Sequence, residues 1–140
     1  MVNTYPSSLV PWIWAAGAIH LALAAANFLL PGILDYRGNL ARMKPIIKQI
    51  FVVHSIYLVL ILLIFSAACF FFAADLAGAS ALGRFLCAAM AFFWLLRVPL
   101  QLFYYDPELR RQRRAGDLAY TLAVSFLAVV FTVSALTGMR

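Results

Sequence analysis

The stretch LVLILLIFSAACFFFAA, residues 58–74, decides the class of fold, because seventeen consecutive positions carry no charge. Its apolar residues follow one another without the strict alternation of polar and apolar positions that a membrane β-strand shows. The stretch is part of an apolar segment at about 46–74, and a helix of that length is long enough to cross a hydrocarbon core of roughly 30 Å. It therefore predicts a membrane-spanning helix.

The rest of the chain repeats this pattern, with apolar segments at about residues 9–34, 81–105 and 118–136. Of the 140 residues, 66% are hydrophobic and 11% are charged, so a soluble domain of this length could not bury its apolar surface. The sequence predicts an all-α polytopic membrane protein. Residues 1–140 are expected to form a single domain of four transmembrane helices in an antiparallel bundle.

The positive charges are concentrated in two of the three connections between these segments. The connection between helices 2 and 3 holds Arg84 alone, and residues 1–14 hold no basic residue. The positive-inside rule places the basic loops 35–48 and 106–117 in the cytoplasm and both termini outside. We expect an integral protein of the bacterial inner membrane, with the first helix retained. Because this arrangement explains the net charge of +6, no nucleic acid partner is expected.

Local signals predict where several helices begin and end. Pro45 suits the first turn of the second helix. Asp106 is a candidate N-cap for a short helical turn that starts at Pro107 and that Gly116 ends. Asp117 is then expected to cap the fourth helix.

The segment AFFWLLRVPLQLFYY, residues 91–105, places a permanent cation, Arg97, among apolar positions. Facing lipid would be costly, so we expect this side chain to face the interior of the bundle or a cavity. Gln101 and Tyr104 share its helical stripe, and Pro99 predicts a kink beside it. A carboxylate partner would come from Asp106 or from a ligand. The alternative is that Arg97 extends to the inner head groups.

Two histidines complete the predicted site. Counting from the start of each apolar segment places His20 and His54 at similar depths on neighbouring helices. Asn27 lies on the same helical stripe as His20. Two imidazoles at one depth could ligate the iron of a b-haem, with Arg97 pairing a propionate, and the same cavity could take a quinone. The alternative for each histidine is a hydrogen bond between helices.

These residues lead to one expected function and two alternatives. The leading hypothesis is an intramembrane site that binds a redox cofactor, b-haem or quinone, or an anionic amphiphile. Its residues are His20, His54, Arg97, Gln101, Tyr104 and Asn27. One alternative is a non-catalytic subunit or assembly factor of a larger membrane complex, with partner subunits or further copies of the chain. The other is an enzyme or carrier for a lipid-like anionic substrate, with His54 as general base. Membrane lipids are expected partners in every case.

The length and predicted topology are similar to those of the membrane-associated eicosanoid and glutathione metabolism proteins. The loop signature of that family, an Arg-Ala-His-Asn run with a nearby glutamate, is absent from RGNLARMKPIIKQ, residues 37–49. The resemblance therefore implies architecture alone. The four-helix haem-linked oxidases of tetrapyrrole synthesis also share the size and an intramembrane histidine and arginine, but none of their motifs is found here.

The two cysteines have two interpretations. Cys69 and Cys87 are expected near the outer ends of helices 2 and 3, where an oxidising compartment would allow a disulfide. Two buried thiols acting as small apolar residues are the favoured alternative. The sequence contains no C-x-x-C and no phosphate-binding loop, so neither motif identifies the chain as an enzyme. The sequence alone does not decide whether it is one.

Overall fold

The computed structural model describes residues 8–33, 36–78, 80–105 and 107–137, and within these ranges the chain is helical almost throughout with no strand. The elements are α1 Val10–Ile33, α2 Tyr36–Ala41, α3 Pro45–Phe71, α4 Ala73–Ala77, α5 Ala81–Pro99, a π-helical segment Leu100–Tyr104, α6 Pro107–Gln112 and α7 Arg114–Thr137. The predicted all-α fold is confirmed.

Four of these helical stretches are long and apolar enough to cross a membrane: Val10–Gly32, Pro45–Phe71, Ala81–Tyr104 and Arg114–Thr137. Most of their large apolar side chains are exposed, among them Phe28, Phe71 and Phe103. A lipid environment suits such surfaces, because an apolar side chain that faces hydrocarbon is already removed from water and gains little more from burial in the protein. The chain is an integral membrane protein with four membrane-spanning helices.

Two compact units divide the chain, and the first is Gly17–Phe71. In this unit α1 and α3 pack antiparallel, with Gly17 beside Cys69 and the ring of His20 against the ring of Phe65. The hydroxyl of Ser66 donates to the carbonyl oxygen of Gly17 at 2.9 Å. A small residue and a hydroxyl thus let the two backbones approach closely, as is common for helix pairs in membranes.

The second unit consists of the chain up to Ala16 together with the chain from Phe72 onward. Here α5 and α7 pack antiparallel: Arg97 lies beside Tyr120, while Arg84 lies beside Ala135. The core of this unit is formed by buried apolar side chains that include Met90, Trp94, Val124, Leu127 and Phe131. Trp12 of α1 lies with its ring 6.1 Å from that of Phe126.

A tight corner joins α4 to α5 in this second unit. Ser80 caps α5, since its hydroxyl accepts from the backbone N–H of Gly83 at 3.0 Å. A Cβ at position 83 would collide with the carbonyl oxygen of Asp75, so only glycine fits there. The thiol of Cys87 donates to the carbonyl oxygen of Leu76 at 3.3 Å.

Helix ends agree with the sequence in part. Pro45 and Pro107 each begin a helix, as predicted, whereas Asp106 lies outside the described residues. The predicted stop at Gly116 and cap at Asp117 are wrong, because α7 begins at Arg114 and contains both. The carboxylate of Asp117 bonds other side chains instead of capping a helix.

The predicted second helix also ends earlier than expected, at Phe71 rather than at about residue 74, and the short α4 follows it. No disulfide joins Cys69 and Cys87, and both are buried, in agreement with the favoured interpretation.

Candidate functional site

Arg97 is half-buried near the end of α5 and bonds two tyrosines. Its Nε donates to the hydroxyl of Tyr120 at 3.0 Å, and its Nη2 donates to the hydroxyl of Tyr105 at 3.0 Å. The guanidinium carbon also lies 5.3 Å from the centroid of each ring, a distance at which a cation is attracted to an aromatic face. We refer to Arg97, Tyr105 and Tyr120 as the arginine–tyrosine cluster.

Arg97 and Tyr105 are brought together by the end of α5, the π-helical segment and the extended residue that follows it. Pro99, the last residue of α5, lacks a backbone N–H, and the π-helical segment starts directly after it. Tyr105 follows in an extended conformation, which turns its side chain back toward Arg97. Tyr120 comes from the second turn of α7.

A second set of contacts lies at the same end of α5 and α7. Gln101, only 7% exposed, donates to Asp117 Oδ1 at 2.8 Å. Arg110 forms an ion pair with the same carboxylate, with Nη2 at 2.9 Å from Oδ2 and Nε at 3.0 Å from Oδ1. Arg110 Nη1 also donates to the carbonyl oxygen of Leu102 in the π-helical segment at 3.0 Å. Gln101, Arg110 and Asp117 form the Asp117 network.

The Asp117 network is electrically balanced, unlike the arginine–tyrosine cluster. The hydrogen bonds from Arg110 to Asp117 raise the pKa of the Arg110 guanidinium, which keeps its positive charge beside the carboxylate. In the described part of the chain, the acceptors of Arg97 are phenol oxygens rather than carboxylates. The expected partner Asp106 lies outside the described residues.

This arrangement can bind an anion. A tyrosine hydroxyl that accepts a hydrogen bond from Arg97 still has its own proton to donate. The arginine–tyrosine cluster thus combines one positive charge with two O–H donors. A phosphate or carboxylate oxygen is the partner that such a group of donors prefers.

Tyr104, a predicted site residue, lies outside this cluster. It is 80% exposed and its ring packs edge-on against that of Tyr105, with the centroids 6.1 Å apart. The predicted stripe of Arg97, Gln101 and Tyr104 assumes α-helical spacing, which the π-helical segment interrupts. Gln101 consequently bonds Asp117 rather than supporting Arg97.

The two histidines lie in the Gly17–Phe71 unit at different levels. His20 is fully buried, and its ring meets that of Phe65 at 5.5 Å in an edge-on arrangement. His54 is exposed, and its Nδ1 lies 2.9 Å from the carbonyl oxygen of Ile50, one turn back on its own helix. His54 precedes Phe65 by eleven residues on α3, which is about 16 Å along the axis.

The predicted equal depth of the two imidazoles is therefore wrong. Two axial ligands must reach a single iron from its two faces. Imidazoles separated by about three turns along one helix pair cannot do so. A b-haem held by His20 and His54 together does not fit this geometry.

Asn27 also lies in the Gly17–Phe71 unit. Its Nδ2 donates to the carbonyl oxygen of Leu23 at 2.8 Å, so one of its amide protons is bonded to its own helix. The side chain lines a cavity of about 430 Å³ together with residues of α2 and α3.

Tyr105, Tyr120, Asp117 and Arg110 are the site residues that sequence reasoning missed. The sequence places Arg110 in the basic loop 106–117, where its charge is explained by topology, and it predicts a cap at Asp117. No sequence pattern pointed to Tyr120, because its contact with Arg97 joins two helices and does not depend on the spacing of residues within either helix. No protein-family model, curated protein or solved structure matches the chain.

Proposed function

We propose that this small membrane protein binds an anionic amphiphile, with the head group at the arginine–tyrosine cluster. The observation that carries the proposal is the bonding of Arg97 to two phenols while the nearby carboxylate, Asp117, is taken by Arg110. Among the described residues no carboxylate bonds Arg97, and a cation within a membrane span attracts an anion more strongly there than it would in water.

The position of Arg97 favours an amphiphile over a small soluble anion. Arg97 precedes the end of the span Ala81–Tyr104 by seven residues, or about 10 Å along the axis. Leu96, Leu100 and Phe103 are exposed nearby in sequence and face a lipid environment. A ligand with an acidic head and an apolar tail can meet both surroundings at once.

We place this site on the cytoplasmic side of a bacterial inner membrane. The basic segments 35–48 and 106–117 support this orientation, because positively charged connections are retained in the cytoplasm. Both termini are then outside. Binding rather than catalysis is proposed, since Nδ1 of His54, the candidate base, lies 2.9 Å from a carbonyl oxygen of its own helix.

The proposal predicts that Arg97→Gln weakens binding of an anionic lipid about tenfold or more, because hydrogen bonds to charged groups contribute roughly 1.5–3 kcal/mol. Native mass spectrometry of the protein in a neutral detergent, titrated with phosphatidylglycerol or with zwitterionic phosphatidylcholine, measures this. Arg111→Gln is the matched control, because it removes the same charge from an exposed position on α6.

Two further variants test the contribution of the tyrosine hydroxyls. Tyr105→Phe and Tyr120→Phe each keep the ring and remove the hydroxyl, so each should weaken phosphatidylglycerol binding less than Arg97→Gln does. Equal affinities of the Arg97→Gln and Arg111→Gln variants would show that only general surface charge attracts the lipid. That result would contradict the proposal.

A further inference from the structure

A cavity of about 430 Å³ lies in the Gly17–Phe71 unit, and none of its lining residues belongs to the arginine–tyrosine cluster. The last turns of α1, the helix α2 and the first half of α3 form its walls. Its volume falls in the range of small-molecule sites in proteins, about 300–1,000 Å³. Aromatic side chains contribute much of the lining, and the rings of Tyr36 and Phe51 meet edge-on at 5.3 Å.

Two of the polar side chains that line the cavity bond their own helices. Asn27 donates to the carbonyl oxygen of Leu23, and Ser55 donates to that of Phe51 at 2.9 Å. Neither requires a polar ligand group for its burial. The charged side chain in the lining is Lys48, and most of the other lining residues are apolar.

The lining residues of α3 lie at different depths along the helix, so the two ends of the cavity differ in character. Lys48 lies three residues after Pro45, where the span begins, and so stands at the level of lipid head groups. Val59, at the far end of the lining, is eleven residues further, about 16 Å deeper in the membrane. The cation and the apolar part are thus arranged in the same order as the head and chain of a bilayer lipid.

The charge of this unit selects an anionic lipid. Residues 17–71 contain four basic residues, Arg37, Arg42, Lys44 and Lys48, against the single acid Asp35. Each basic residue close to the membrane surface contributes to the attraction of anionic lipids. A zwitterionic lipid gains less from the same residues.

We propose that this cavity is a second lipid site, which holds one acyl chain of an anionic bilayer phospholipid with its phosphate on Lys48. The site shares no residue with the arginine–tyrosine cluster and does not depend on its function. The helix α2 covers the chain through Tyr36 and Leu40, and Lys48 provides the charge that selects the head group.

The first test replaces the cation in an Arg97→Gln background, so that binding at the arginine–tyrosine cluster does not contribute. Lys48→Gln should weaken phosphatidylglycerol binding in native mass spectrometry about tenfold. The matched control Lys44→Gln removes the same charge from an exposed residue that does not line the cavity, and should weaken binding less than Lys48→Gln does.

The second test fills the cavity and leaves the charge in place. Val52→Phe adds volume to the lining, whereas Val53→Phe makes the same change at a neighbouring exposed residue outside it. In the same Arg97→Gln background, we expect loss of bound lipid in the Val52→Phe variant alone. The proposal is overturned if Lys48→Gln and Lys44→Gln weaken binding equally, if phosphatidylcholine binds as tightly, or if Val52→Phe retains the lipid.

Discussion

At the residue scale, Gly17 sets how closely α1 and α3 approach each other. A Cβ at this position would lie 2.9 Å from the Cβ of Cys69 and 3.3 Å from ring atoms of Phe70. The hydroxyl of Ser66 reaches the carbonyl oxygen of Gly17 because the backbones are this close. A larger residue must push the helices apart and lengthen that hydrogen bond.

We therefore expect Gly17→Leu to lower the free energy of unfolding by about 1–3 kcal/mol, the usual cost of overpacking. Unfolding in mixed detergent micelles, followed by circular dichroism, measures it. The control is Gly116→Ala, since a Cβ there meets no atom within 4 Å. That variant should be neutral or more stable by up to about 1 kcal/mol, because alanine favours a helix. A Gly17→Leu variant as stable as the natural chain would contradict the close packing.

The residues around Arg97 show how far the sequence could predict the candidate site. An intramembrane arginine was recognisable as a polar site from its charge alone. Its partners were not, because Tyr105 comes into position through a π-helical segment and Tyr120 through a contact between helices. A stripe drawn at α-helical spacing selected Tyr104 instead, and that ring lies mostly exposed.

At the scale of the element, the ends of α5 and α7 form a single linked structure. In the π-helical segment, the carbonyl oxygen of Leu102 accepts a hydrogen bond from Arg110. The same arginine forms an ion pair with the carboxylate of Asp117 in α7. Helix α6, which carries Arg110, has only six residues and gains little stability by itself. Its order therefore depends on the Asp117 network.

Asp117→Ala should speed amide hydrogen exchange in residues 107–112, because α6 loses the contact that fixes it. We expect exchange at least several-fold faster, with little change in the middle of α5. Hydrogen–deuterium exchange mass spectrometry in detergent provides the measurement. Asp75→Ala, an exposed acid on α4, removes the same charge outside the network. The network does not order α6 if both variants exchange alike.

At the scale of the whole molecule, the four apolar segments predicted the number of spans and their approximate bounds. Hydrocarbon requires long apolar helices, so length and composition suffice for this much. Length and composition do not give the relative depth of residues on different helices. The register that places Gly17 beside Cys69 also places His54 level with the last turn of α1, far from His20. Only contacts between helices fix that register.

The proposed orientation places α2 and α6 on the cytoplasmic side and α4 outside. Single cysteines at Met43 and Gln112 should then resist a membrane-impermeant maleimide in intact cells, whereas one at Ala74 should react. All three positions are exposed, and the natural chain, whose two cysteines are buried, gives the background. Reaction at positions 43 and 112 without permeabilisation would reverse the orientation.

The π-helical segment between Arg97 and Tyr105 also limits the length of the chain at that point. One residue more or less between them would turn whatever follows by about 100° around the helix axis. Tyr105 would then leave Arg97, and the Leu102 carbonyl would leave Arg110. Insertions and deletions are thus excluded between positions 97 and 105 even where individual side chains can change. Both contacts therefore depend on the spacing of these residues as well as on their identity.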